Sequence, residues 1–305
     1  MIFDFIIFCD RQRRVFHMDY KNIILNKSSV RDYKEKKVDE KVIKELSRYA
    51  NTCPKLAEDI EMDIRILDND VVYRQLDGFA GYHGILVNAP HYVIILSEKK
   101  EHYIENAGYV GESISMKASE LGVDSCWITF TSSEKVIHRL NLVTSKEVVG
   151  ILTIGYGKKK SPITLGALKT GDNYSKADMR KKENGPSKIL PLQEMVYIDK
   201  WGEGADVNTL LERALYEPMD CVRKAPSTMN RQPWRFLIDG GKIILLMRKD
   251  SDVSEYEERI DVGIAMLYFE EVIGQTLCKI QWKLGPVDNT YGIPDEYVIV
   301  ASCEA

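Results

Sequence analysis

One stretch of the sequence, Ala225-Pro226-Ser227-Thr228-Met229-Asn230-Arg231-Gln232-Pro233-Trp234-Arg235-Phe236, gathers side chains suited to binding a flat polar ligand. Pro226 and Pro233 fix backbone angles at its two ends. Between them Ser227, Thr228, Asn230 and Gln232 can each donate and accept hydrogen bonds, and Trp234 and Phe236 provide an apolar base. A rigid polar loop on such a base suits the edge of a planar heteroaromatic such as an isoalloxazine ring. The same residues also read as a capped turn between a helix and a strand. Far upstream, Lys27-Ser28-Ser29-Val30-Arg31 packs two cations and two hydroxyls into five residues. Each is a donor and the cations add charge, so together they could envelop a phosphate. Basic-serine runs also occur on solvated surfaces.

The elements that must position these residues mix helices and strands, which implies an α+β or α/β fold. Val42, Ile43, Leu46 and Tyr49 fall at helical spacing behind Asp39, a candidate N-cap. Residues 92–96 and 148–154 read as buried strands. Over 106–121, Ala107, Val110, Ile114, Ala118 and Leu121 form one apolar stripe, ended by Gly122. Residues 158–184 are rich in Lys, Gly, Ser and Asp with weak periodicity and read as an arm or linker. A helix is expected over 208–224, a hairpin around Asp239-Gly240-Gly241, a helix over 263–273 and a last strand over 297–301.

The net charge of −4 argues against a nucleic-acid partner, since phosphate backbones reward basic surfaces. The six cysteines, Cys9, Cys53, Cys126, Cys221, Cys278 and Cys303, show no metal-ligand or redox-motif spacing, so no metal is expected. Nothing marks secretion, and reduced thiols in a cytoplasm are the expectation. Residues 1–8 are apolar but about half the length a membrane span needs, and Arg11, Arg13 and Arg14 follow that run where a signal peptide carries its charges first. Residues 1–17 are therefore read as an extension outside the fold, or as an element packed on its body. An internal repeat is also visible. At an offset of 152, Val110 aligns with Val262, Gly111 with Gly263, Leu121 with Ile273, Gly122 with Gly274 and Cys126 with Cys278.

Together these pieces resemble the FMN-dependent nitroreductase family, and most of all its subgroup in which two protomers are fused in one chain. Lys27 to Tyr33 is similar to the family's phosphate motif, with Lys27 in place of the first Arg, and Pro226 to Trp234 is similar to its flavin-contacting loop. The helix ending Leu121-Gly122, followed by Val123 to Ile128, fits a third family feature and places the Thr129 amide near flavin N5. The family strand ending in Gly-Tyr appears as Gly155-Tyr156. The resemblance implies an α+β nitroreductase-like fold of two pseudo-symmetric halves, 18–160 and 206–305, joined by a linker arm over 161–205.

It also implies one FMN per chain. The first half has Cys53 to Asp59 where its own polar loop should be, without Asn or Gln. The second has Lys200-Trp201-Gly202-Glu203-Gly204 where its phosphate motif should be. The losses are complementary, leaving one complete site. Lys27, Ser28, Ser29 and Arg31 would bind phosphate; Pro226, Ser227, Thr228, Asn230 and Gln232 would hold the ring or ribityl chain. Lys188 is the candidate for a further basic phosphate ligand, with Arg180 next. The sequence departs from the family in lacking a Lys before Ala89-Pro90; His83 could substitute, or be a turn histidine. The implied activity is ping-pong transfer from NAD(P)H through FMN to a small electron-poor acceptor (a nitroaromatic, quinone or activated alkene), with no catalytic side chain assigned and the chain acting as a monomeric pseudo-dimer. Two alternatives stand beside it: a non-catalytic FMN-binding sensor or store, and an interaction module that keeps the fold without flavin.

Overall fold

The computed structural model describes residues 18–158, 189–251, 253–288 and 291–305. The extension 1–17, most of the linker arm, and with it Arg180 and Lys188, lie outside the described residues. The first part of the chain forms α1 (Tyr20–Asn26), α2 (Glu40–Ala50), β1 (Met62–Asp68), α3 (Asn69–Leu76), β2 (His91–Ser97), α4 (Tyr103–Glu120), β3 (Asp124–Ile128), α5 (Ser133–Arg139) and β4 (Glu147–Gly155). The second forms α6 (Leu192–Met195), β5 (Val196–Ile198), α7 (Val207–Glu212), α8 (Tyr216–Val222), β6 (Trp234–Asp239), β7 (Lys242–Arg248), α9 (Glu255–Thr276), β8 (Lys283–Leu284) and β9 (Tyr297–Glu304).

The fold is mixed α+β. One sheet has the order β1-β2-β4-β3 and the other β5-β6-β7-β9-β8. All pairings are antiparallel except β5 with β6. The apolar runs in β2, β6 and β7 are buried along their length because helices and neighbouring strands cover them. Each sheet carries one bulge: Val149 in β4 and Val300 in β9 are passed over in the pairing of their neighbours. Such an extra residue bends its strand and re-aims the side chains around it.

α4 packs on the first sheet, α9 on the second, and the two helices pack on each other. Both are buried over most of their circumference, as expected of helices whose apolar residues are not confined to one stripe. Glycine makes the crossing close. A Cβ on Gly108 would lie 2.2 Å from the Ile260 carbonyl oxygen, and one on Gly263 would lie 2.0 Å from that of Glu105. The two contacts are reciprocal, since a shift of 155 residues carries Glu105 to Ile260 and Gly108 to Gly263. That register differs from the sequence-based 152 by three residues, nearly one helical turn.

Other differences from expectation have local causes. The single helix expected over 208–224 is two, because Ala214 turns to φ 56° between α7 and α8. Pro218 could not continue an unbroken helix, lacking the N–H that would bond back to residue 214, but is tolerated in the first turn of a new one. α9 begins at Glu255 rather than at Gly263, where Ser254 and Glu257 form a capping box. Within the linker arm, β5 joins the second sheet and α6 packs beside β5 and β6.

Candidate functional site

A cavity of about 890 Å³ opens where the end of β3, the bulge of β4, the start of α9 and the loop before β6 meet. Its lining brings together Ser29 and Arg31 from the upstream motif, Thr129 after β3, and Pro226, Ser227, Thr228 and Asn230 from the downstream loop. Residues from opposite ends of the sequence thus share one wall. Lys27, Ser28, His83 and Gln232 are not on it.

The upstream segment runs extended beside the first sheet. The Val30 N–H donates to the Ser125 carbonyl at 3.1 Å, and Tyr33 bridges to Gly157. This places Ser29 and Arg31 against the buried Cys126, whose thiol is pushed up by burial and lowered only in part by Arg31 and Lys27. Arg31 is the only Lys or Arg on the cavity wall among the described residues. Lys27 points elsewhere: its ammonium lies 2.8 Å from the Glu112 carboxylate, and both side chains are buried. Glu112 also accepts from Trp127 Nε1 at 2.8 Å and from the Tyr268 hydroxyl at 3.1 Å. One buried carboxylate therefore ties α1, α4, β3 and α9 together.

The downstream loop is held from several sides. Ser227 Oγ accepts from the Gln232 N–H at 3.0 Å, the Gln232 amide oxygen accepts from the Leu190 N–H at 2.9 Å, and Arg235 donates to the Gln232 carbonyl at 3.1 Å. Gln232 works as an internal brace. Met229, Asn230 and Gln232 all sit at left-handed φ, 52°, 55° and 49°. Residues in such regions cost of order 1–3 kcal/mol each and persist only where their surroundings over-determine them. The Thr228 N–H is bonded by both Asp261 carboxyl oxygens, at 3.1 and 2.9 Å. Burial, with Glu257 and Glu258 on the same helix, holds that carboxyl well above the usual carboxylate range.

The far wall is aromatic. Phe130 meets Tyr256 edge-on with ring centroids 6.2 Å apart, and the Tyr256 hydroxyl donates to the Val149 carbonyl in the bulge. Tyr73 and Tyr82 also face the cavity. His83 stands next to Tyr82 at the tip of a turn, exposed and at φ 53°. Thr129 lies beneath this wall, its carbonyl accepting from the Gly81 N–H at 2.7 Å. Tyr256, Phe130 and Asp261 were not singled out by motif. The usable signals were the Ser254-to-Glu257 capping spacing, which starts α9 early enough to include Tyr256, and an acid set in an otherwise apolar helical run.

Comparison with known proteins settles the family. A family model described as "Putative TM nitroreductase" matches residues 19–273. The chain belongs to that family. Among solved structures, the "putative nitroreductase" of Thermotoga maritima MSB8 aligns with this nitroreductase-family chain over 94% of each chain, at 17% identity and a TM-score of 0.55, a likeness of fold. An FMN-dependent nitroreductase of Clostridium difficile R20291 aligns with 53% of this chain and 95% of its own, at 21% identity and a TM-score of 0.40. A "putative NADH oxidase" of Clostridium acetobutylicum aligns with 46% and 89%, at 23% identity and a TM-score of 0.39. No curated protein matches the chain. Among the described residues, no cluster of His, Cys, Asp or Glu could hold a metal ion, and no helix is long and apolar enough to cross a membrane.

Proposed function

We propose that this nitroreductase-family chain is an FMN-dependent oxidoreductase that takes reducing equivalents from NAD(P)H and passes them, in ping-pong fashion, to a small electron-poor acceptor. The observation that carries the reading is the convergence of Ser29, Arg31, Thr129 and the 226–230 loop on one cavity of about 890 Å³. That volume falls in the range of cofactor sites, and its donor set fits the group. A cation and a hydroxyl suit a phosphate, and the backbone and side-chain donors of the loop suit a polar ring edge. When bound, FMN would supply the hydride-accepting and hydride-donating chemistry.

The chain's own residues bind and orient. Arg31 and Ser29 neutralise and hydrogen-bond the phosphate, with Lys188 as a further candidate ligand. Lys27 supports this end indirectly through Glu112, and Ser28 remains a candidate phosphate donor. Thr129 meets the ring, Pro226, Ser227, Thr228 and Asn230 hold its edge or the ribityl chain, and Gln232 keeps that loop in shape. The aromatic wall of Tyr82, Phe130 and Tyr256 suits flat nitroaromatics and quinones better than bulky acceptors. No side chain is assigned a proton transfer.

The halves are read as 18–160 and 206–305, related by the shift of 155 residues and forming a pseudo-dimer in a monomeric, cytoplasmic chain. Matching strand orders, one bulge per sheet and the reciprocal glycine contacts support this. So does Trp127, which the shift carries to Trp282. One cavity wall with both motifs implies one FMN per chain.

An anaerobic absorbance spectrum before and after NADH or NADPH tests the reading. One flavin per chain that bleaches within seconds supports it, and a colourless protein after reconstitution with FMN overturns it. A specific observation favours a second reading, a flavin binder without turnover: His83 lies off the cavity, and no Lys or Arg other than Arg31 lines it among the described residues. That reading requires bound flavin that stays oxidised.

A further inference from the structure

The reciprocal packing of α4 and α9 makes a second match. The shift that carries Gly108 to Gly263 also carries Asn106 to Asp261. Each of these residues is buried on a central helix, and each fastens a loop by its backbone. Asn106 Oδ1 accepts from the N–H groups of Leu56 and Ala57, at 2.9 and 3.1 Å. The Asp261 carboxyl accepts from the Thr228 N–H with both oxygens, at 3.1 and 2.9 Å. Each fastened loop follows a proline, Pro54 in one and Pro226 in the other.

The two tethers differ in what they hold. The 53–59 loop has no residue at positive φ, whereas the 226–232 loop has three that are not glycine. The first loop is absent from the cavity lining; the second, with Asp261 itself, forms part of it. A neutral amide suffices for the relaxed loop. The strained loop is held by a carboxyl, the costlier group to bury, which also offers more lone pairs to the N–H it fixes.

We propose that Asp261 is a positioning residue of the cofactor cavity: it pins Thr228 and so keeps the strained 226–232 loop turned toward the ligand, while Asn106 does the same structural work on a loop with no ligand to meet. The inference rests on the flavin reading only for its consequence in FMN affinity; the tether itself is readable without cofactor.

The test uses Asp261→Ala, Asp261→Asn and Asn106→Ala in the full chain. Amide hydrogen exchange over 226–232 is measured without FMN, and the FMN dissociation constant by titration. Asp261→Ala should lose protection at Thr228 and bind FMN about tenfold more weakly, the size expected from one lost hydrogen bond in a binding loop. Asp261→Asn, which installs the side chain that the other tether uses, should restore protection and bring affinity back to within about threefold. Asn106→Ala should loosen 53–59 and leave FMN affinity unchanged. Unchanged exchange at Thr228 in Asp261→Ala would overturn the proposal, as would equal weakening of FMN by Asn106→Ala. If Asp261→Ala does not fold, failure of Asp261→Asn to keep wild-type protection overturns it instead. A wild-type protein that takes up no FMN sinks the flavin reading, and the exchange measurement still decides the tether.

Discussion

In the first sheet, β3 runs five residues and delivers Thr129 to the cavity wall; at the matching edge of the second sheet, β8 is two residues long and is followed by Gly285. The segment before α2 brings Ser29 and Arg31 to that cavity, whereas the segment after β5 folds Lys200 back onto Glu203 at 2.8 Å. The order β1-β2-β4-β3 is matched by β6-β7-β9-β8, and each sheet has one of the two crossing helices packed on it, while the loops that could touch a ligand differ. The backbone plan is set by buried contacts that tolerate little change, and the chemistry is set by loops at its rim.

Substitutions sharpen that contrast. The largest effect is expected from Arg31→Glu, which puts a carboxylate where a phosphate would sit and should abolish FMN retention in a folded protein. Lys200→Glu, at the corresponding place in the other half, should leave flavin content untouched. Equal losses from both would erase the distinction between the rims. Next comes Lys27→Ala. It leaves Glu112 buried with only the neutral donors Trp127 and Tyr268, and removing one partner of a buried pair costs about 3–5 kcal/mol. Urea unfolding should show that loss; an unchanged midpoint with weakened FMN would make Lys27 a direct phosphate ligand. The shift of 155 carries Glu112 to Leu267, so the second half has no such strut.

Smaller effects probe the crossing itself. Gly108→Ala and Gly263→Ala each force a methyl against a backbone carbonyl, and overpacking of this kind costs about 1–3 kcal/mol. The two losses should be alike, and a large inequality in unfolding free energy would break the reciprocity. The smallest effect is a pH slope. Burial, with Glu271 beside it, raises the Glu270 carboxyl to about 7. The folded chain then keeps a proton that the unfolded chain releases at the ordinary carboxylate value. Through this group, stability falls as pH rises from the ordinary range to about 7 and levels off above it. Glu270→Gln should flatten that window in urea midpoints taken across it, and an unaltered slope would assign it to other groups. In α4 the counterpart is Ser115, which shares a 2.6 Å hydrogen bond with Ser125 and has no charge to bury.

Much of this was legible in the sequence, and the parts that were not have physical reasons. The β2 and β4 strands, the hairpin at Gly240 and the Ala225 to Phe236 loop are fixed by local pattern and turn chemistry, which a linear reading captures. β1 escaped because its apolar and polar alternation, Met62 to Ile66, lasts only five residues before Leu67 breaks it. The offset of 152 read from the sequence and the 155 at the helix crossing differ because apolar residues three and four apart share a helix face, so a slip of three still aligns stripe with stripe. Only the glycines at the crossing carry the register, because they alone must meet a particular carbonyl. Lys27 reads as a phosphate ligand because the carboxylate it faces in the fold, Glu112, sits on a helix face that no pattern marks as buried. His83 was a chemical candidate by type and spacing, yet its turn carries it away from the wall that Tyr82 joins.

The cavity is lined by residues as early as Ser29 and as late as Ile264. During synthesis the N-terminal region emerges and begins to fold first. At that point the nascent chain holds only part of the cavity lining, with the Gly108 face of α4 still waiting for α9. The cavity can therefore close only after nearly the whole chain is made, and any fragment that stops short of α9 should leave the ribosome with that lining incomplete and prone to stick to its neighbours.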